Sequence, residues 1–196
     1  HITYFLIGSI PIFVSLLTFW VVNANTSLNN QLKNFISSLP QSSSIFLYGT
    51  VTSVLLIFLR DGANYISHRF QHQNELFWDL HEFHHSATQM NVFSHLRHLP
   101  FEELPYTILS TPISILYGLN LAYCISQGSY IPVYIHFFYS THVLFFNWCA
   151  HSSFKIIYPK PLDMIFMSPA IHWFHHSSNP NHFDSNFSSV FTFWDK

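Results

Sequence analysis

At 196 residues the chain is long enough for one domain, and it is 49% hydrophobic and 19% aromatic with only 8% charged residues, about a third of the charged fraction of a soluble globular protein. A formal net charge of −2, with seven Lys and Arg, leaves no basic surface to neutralise phosphates and excludes nucleic acid as a partner. Two cysteines, Cys124 and Cys149, are too few for a disulfide framework or a thiolate cluster, so any metal must rely on the 15 histidines.

In chain order, the first uncharged stretch runs from Ile2 to Leu32, and its apolar part, residues 2–22, has the length of a helix crossing a bilayer. It shows neither the charged start nor the small-residue cleavage site of a signal peptide, so a retained span is expected. Leu28, Leu32, Phe35, Ile36 and Leu39 then recur as one face of a short helix lying on the membrane surface. A second span is predicted over 44–59, closed by Arg60 and Asp61, and a polar, His-rich stretch continues to Glu103. The uncharged stretch 104–154 is too long for one crossing and suits two, about 104–124 and 130–150, with a turn at Ser126 to Ser129.

Lys33 stands alone in the first loop, whereas Arg60, Arg69, Arg97, Lys155, Lys160 and Lys196 fall beyond spans two and four, which by the positive-inside rule puts segments 60–103 and 151–196 in the cytoplasm. The expected architecture is all-α: a single membrane domain over 1–196, with four transmembrane helices under a cytosolic helical cap. Its expected place is a bacterial inner membrane or the endoplasmic reticulum, as a multi-pass protein.

The histidines cluster. His68 and His72, four apart on the helical continuation of span two, share a face, and Asp61 two turns earlier is placed to accept the second ring N–H of a ligating His. A surface His pair with Asp61 marking the membrane boundary is the alternative. His81, His84 and His85 can converge from a single helix turn, and His172, His175 and His176 repeat that pattern about ninety residues later, with Ser168-Pro169 as the cap and first turn of their helix. Span four ends in Asn147-Trp-Cys-Ala-His151; both polar residues are either ligands or ordinary features of a membrane helix end. Neutral imidazoles without thiolates suit Fe, Zn, Cu or Ni, and eight or nine ligands exceed what one ion takes, so two ions are implied.

These stretches resemble the fatty acid hydroxylase/sterol desaturase family of integral-membrane di-iron enzymes. The resemblance runs through Asp61, His68-Arg69-Phe-Gln-His72, Phe77-Trp78-Asp-Leu-His81-Glu-Phe-His84-His85-Ser86 and Arg97-His98-Leu-Pro100-Phe-Glu102. It continues in His151, Pro169-Ala-Ile-His172-Trp-Phe-His175-His176-Ser177, Asp184-Ser-Asn186-Phe187 and Trp194-Asp195, and covers residues 44–196. It implies a lipid hydroxylase or desaturase that uses O2 and two irons to oxidise a C–H bond of a sterol, fatty acyl chain or similar membrane lipid. By the same resemblance His68, His72, His81, His84, His85, His151, His172, His175 and His176 are ligands, and Asn147 matches an asparagine of membrane acyl-chain desaturases. Asp61, Arg97, His98, His182, Asp184 and Asn186 are expected to support them. The family usually continues beyond Asp195-Lys196, so a fragmentary C-terminus is expected.

Without a Gly-x-Gly-x-x-Gly fingerprint or a cysteine set for Fe–S, electrons are expected from an external b5-type haem protein, ferredoxin or flavoprotein. Tyr106, Tyr117, Tyr123 and Tyr134 either line a cavity for the alkyl chain between the spans or pack helices. His136 is read as a contact to substrate or a helix–helix hydrogen bond, and His142, His95 and His98 are left outside the metal set. Two rivals remain: an intramembrane zinc metalloprotease using His81-Glu82-x-x-His85, with Glu82 as general base, and a His-rich metal transporter.

Overall fold

The structure, a computed structural model, describes residues 2–24, 26–38 and 44–196. Among these residues the chain is all-helical, with one isolated bridge between Phe166 and Phe191. The helices are α1 (Ile2–Ala24), α2 (Thr26–Ser38), α3 (Ile45–Gln73), α4 (Glu75–His85), α5 (Leu104–Ser126), α6 (Ile131–Ala150), α7 (Lys160–Asp163) and α8 (Pro169–His175). Helices α3 and α5 are long and apolar enough to cross a membrane; α1 carries a shorter apolar stretch, Ile12–Ala24, and α6 has 20 residues. Helix α2 exposes Leu28 and Phe35 as the surface-helix pattern predicts, while Leu39 and the side chains of Leu32 and Ile36 lie outside the described residues.

The chain forms two compact units. One comprises residues 9–60 and 110–139. Its interior is rich in small and polar side chains: Ser53, Ser110, Ser114, Asn120 and Cys124 are buried beside Val22, Ile57 and Tyr117, while Leu47, Val51, Leu55, Leu116 and Phe137 face outward. Asn120 ties α5 to α3 by donating to the Ser53 hydroxyl at 3.2 Å and accepting from Thr52 Oγ1 at 2.9 Å. At Gly118 a Cβ would collide with the Ser15 carbonyl oxygen, so only glycine lets α1 and α5 approach this closely. Small and polar residues between helices with apolar residues outside are the packing of helices in lipid, where hydrocarbon solvates the outer face and close backbone contact holds the helices together.

The second unit comprises the first residues of the chain with 61–109 and 140–196. Helix α3 ends at Gln73, and Asn74 caps α4 by accepting from the Phe77 N–H at 3.3 Å, with Glu75 following in the first turn where the helix dipole favours an acid. The fully buried Asp61 anchors the C-terminal strap. It accepts from Ser189 Oγ (3.1 Å), the Val190 and Phe191 N–H groups (3.2 and 3.0 Å) and Trp194 Nε1 (3.1 Å). Trp194 lies so close over Gly62 that a Cβ there would sit 2.8 Å from its ring. Ser168 and Pro169 open α8 as expected, but the Ser168 hydroxyl is buried and makes no capping bond.

Candidate metal centre

Nine histidines from four helical segments converge in this second unit. His68 and His72 (α3), His81 and His85 (α4) and His175 (α8) form one group, and His84 (α4), His151 (just past α6), His172 (α8) and His176 (its C-cap) form another; within each group the nitrogens offered lie within 4.8 Å of one another. The groups adjoin, with His85 and His176 stacked at a ring separation of 4.3 Å and 19° between planes.

The hydrogen bonds at the far side of these rings fix where the protons sit. Nδ1 of His68 donates to the Phe187 carbonyl (2.8 Å) and Nδ1 of His175 to the Ser185 carbonyl (2.7 Å). In the other group Nδ1 of His151 donates to the Asn147 carbonyl (2.8 Å) and Nδ1 of His84 to the Arg97 carbonyl (3.3 Å). A carbonyl only accepts, so each ring carries its proton on Nδ1 and presents a bare lone pair on Nε2. Those lone pairs face each other: Nε2 of His175 is 3.1 Å from Nε2 of His68, and Nε2 of His151 is 3.0 Å from Nε2 of His84. Two lone pairs at that separation repel unless a cation lies between them, and the buried Nε2 of His72 has no hydrogen-bond partner either. Both groups therefore fit a metal ion.

Burial, the largest cause, and neighbouring imidazoles hold His81, His84, His172, His175 and His176 well below the usual imidazole range, and push His85 and His151 down to about 3. At neutral pH these rings are neutral, the form a metal requires.

The supporting residues divide. Asp61 touches no histidine; it grips residues 189–194 and so acts on the ligands through the strap. Asp195 continues that work, accepting from the Phe187 N–H (2.8 Å) and Ser188 N–H (3.1 Å), so the Phe187 carbonyl is held against His68. Asp184 and Asn186 adopt left-handed φ of 53° and 60° on either side of Ser185, aiming its carbonyl at His175; Asp and Asn are the side chains that tolerate that conformation best. Asp184 Oδ1 also lies 3.7 Å from His72 Nδ1. Arg97 offers its carbonyl to His84, donates to Ser86 Oγ (2.7 Å) and lies over the Phe83 ring. His182 packs on Phe174 and reaches no ligand. The Asn147 carbonyl serves His151, accepting from its Nδ1 one turn along the chain.

Glu102 is the residue that sequence reasoning left out of the site. It is fully buried, and its Oε1 accepts from Nδ1 of both His81 and His98, each at 2.7 Å. His142 belongs to neither group, and His136 packs against Tyr117 in the other unit. Glu82 is exposed and is not among the residues that line the cavity beside the histidines.

A cavity of about 1150 Å³ opens onto His72, His85, His175 and His176. Trp78, Trp173, Met90 and Phe183 form its apolar walls, and Ser86, Thr88, Gln89, Ser177 and Ser178 its polar ones. None of Tyr106, Tyr117, Tyr123 and Tyr134 lines it; Tyr117 instead donates to the Pro132 carbonyl and Tyr123 packs edge-on against Tyr48.

Apolar helices joined to a buried double His group define a membrane-type protein equipped to hold metal. The chain belongs to the fatty acid hydroxylase family, whose model matches residues 53–196 and so takes in every histidine of both groups. It is 30% identical over 145 residues to an alkylglycerol monooxygenase of Caenorhabditis elegans, covering 74% of this chain and 26% of that protein. To the Danio rerio alkylglycerol monooxygenase it is 27% identical over 136 residues (69% and 27%), and to the ornithine lipid hydroxylase OlsE of Rhizobium tropici 24% over 143 residues (73% and 39%). The match thus spans about a quarter to two fifths of these relatives. No solved structure matches the chain.

Proposed function

We propose that the chain is the catalytic region of an O2-dependent oxidoreductase that hydroxylates a C–H bond of a membrane lipid at a centre of two iron ions. His68, His72, His81, His85 and His175 hold one ion; His84, His151, His172 and His176 hold the other, with Asn147 as a further candidate ligand. The observation that carries this reading is the pair of opposed Nε2 lone pairs, one pair in each group. The relatives named for monooxygenation of alkylglycerols and hydroxylation of ornithine lipids support a lipid substrate and favour hydroxylation over desaturation.

When bound, the two irons supply the reduction of O2 that attack on an unactivated C–H bond needs, with the balance R–H + O2 + 2e⁻ + 2H⁺ → R–OH + H2O. The chain's own part is geometric. The carbonyls of Ser185, Phe187, Arg97 and Asn147 keep the ligand rings in the Nδ1–H tautomer. The cavity brings the substrate carbon beside His72, His85, His175 and His176, Trp78 and Trp173 exclude water around it, and the hydroxyl-bearing wall orients the polar head. Electrons come from an external b5-type haem protein, ferredoxin or flavoprotein. The proposed setting is the bilayer, with four spans and the histidines on the cytoplasmic face.

The test is metal analysis of the full chain purified in detergent, with Mössbauer spectroscopy on iron-57-grown protein, followed by assay on alkylglycerol and ornithine lipids with O2 and a reductant. Two coupled irons and O2-dependent product are expected. A single ion, held by His81 and His85 alone, would overturn the reading.

A further inference from the structure

Glu102 lies at the end of a tight turn. Its N–H reaches the Leu99 carbonyl at 3.4 Å, Pro100 occupies the second position, and Phe101 has a φ of 69°. This is the pattern of a type II turn, which glycine or asparagine usually occupies where Phe101 stands. A bulky residue with an exposed ring in that conformation is strained, and such strain persists where the surroundings demand the geometry it produces. Here it drives the next side chain inward until no part of Glu102 is exposed.

Every oxygen of Glu102 is engaged. Oε1 takes the two imidazole N–H groups, Oε2 takes the Leu99 N–H at 2.9 Å, and the backbone carbonyl takes the Gln71 side-chain amide at 2.6 Å. The two imidazoles lead to different groups. His81 is itself a member of the five-histidine group, and its Nε2 stands 3.1 Å from that of His85. His98 stacks on His84 of the four-histidine group, with rings 4.5 Å apart and 19° between planes.

We propose that Glu102 is the positioning carboxylate shared by both metal sites: it holds His81 in the Nδ1–H tautomer directly, and holds His84 in place through the stacked ring of His98. The inference rests on the two-metal reading of the histidines. A carboxylate behind a ligating imidazole fixes the ring and raises its basicity, and loss of such a partner typically weakens metal binding by about 10- to 100-fold. Because one oxygen serves both rings, the two sites share a single anchor. Glu102→Gln keeps the size and an accepting oxygen but removes the charge and turns an amide N–H toward the Leu99 N–H; Glu102→Ala removes the anchor.

The experiment measures Fe(II) and Co(II) binding by the metal-free full chain in detergent, by chelator competition, with the Co(II) ligand-field spectrum as a second readout. Wild type is expected to bind two ions. Glu102→Gln is expected to bind the more weakly held ion about tenfold less tightly, and Glu102→Ala to lose affinity at both sites by about 100-fold, each with an altered Co(II) spectrum. Circular dichroism of the Gln variant, which preserves volume, controls for folding. A folded Gln or Ala variant with wild-type affinities and spectrum would overturn the proposal. Failure of wild type to bind two ions would instead overturn the two-metal reading.

Discussion

His84 and His175 are exchanged between the two groups: each is the middle histidine of its own His-x-x-His-His turn, and each joins the group built on the other helix's outer pair. On α4 the outer pair His81 and His85 goes to the first group, on α8 the pair His172 and His176 goes to the second, and the middle rings cross over. Helix geometry accounts for this. Residues four apart differ by about 40° around the axis and share a site, whereas the residue at the third position points about 60° to the other side of the first and reaches a neighbouring one. Two such helices side by side build two adjacent sites with local ligand pairs and one ligand swapped.

The exchange makes a selective prediction. His175→Ala is expected to empty the site otherwise built by α3 and α4, and His84→Ala the site otherwise built by α8 and His151, so each variant should retain close to one ion per chain. Oxidation should fall by at least about 100-fold in both, since loss of a direct ligand exceeds the effect of losing an outer partner. His142→Ala, outside both groups, should keep two ions and most activity. Metal content and turnover on the same preparations check all three variants.

The histidines were legible because i, i+3 and i, i+4 spacing is local information that survives folding: all nine imidazole ligands expected from spacing and resemblance come together. The apolar runs expected at 44–59, 104–124 and 130–150 fall on α3, α5 and α6, and α3 continues past its apolar part to Gln73, carrying His68 and His72. What spacing does not carry is the assignment to groups, which depends on how α3, α4 and α8 lie against one another. Nor does it carry the role of Glu102, whose partner His81 is 21 residues away and whose inward aim depends on a left-handed Phe101, a residue that flags no turn. Periodicity places Asp61 on the histidine-bearing face of α3, yet its partners are in the strap at 189–194, and nothing in local periodicity points there.

Asp61→Asn tests the strap. The carboxylate receives four donors, and an amide must turn its own N–H groups toward some of them while remaining buried. The expected cost is about 2 kcal/mol, the range for hydrogen bonds to a buried charged group. It should be visible as a lower thermal midpoint in detergent, with loss of metal mainly from the site containing His68 and His175, whose carbonyl partners lie on or next to the strap. An unchanged midpoint and full metal content would dismiss this role.

Ala87→Trp tests the cavity. Ala87 lines it without belonging to either His group, so a large side chain there should occupy substrate space and leave the ligands in place. A pocket contact of this kind is worth about 1–3 kcal/mol, so kcat/KM should fall by about 10- to 200-fold while two ions remain bound. Unaltered kinetics would show that substrate reaches the histidines by another route.

The metal-free protein should lose stability as pH falls below about 6.5. His85 and His151 titrate near 3 in the folded chain, and His81, His84, His172, His175 and His176 well below 6.5, whereas all titrate near 6.5 once unfolded. Between those values the unfolded chain binds more protons than the folded one. Folding stability therefore rises with pH across the window, is fully present above about 6.5, and is lost as pH falls toward 3. Thermal unfolding of the metal-free chain at pH 7.5 and pH 5 should give a clearly lower midpoint at pH 5. Equal midpoints would mean that these rings are not held neutral by burial, and the donor set inferred from their lone pairs would fall with them.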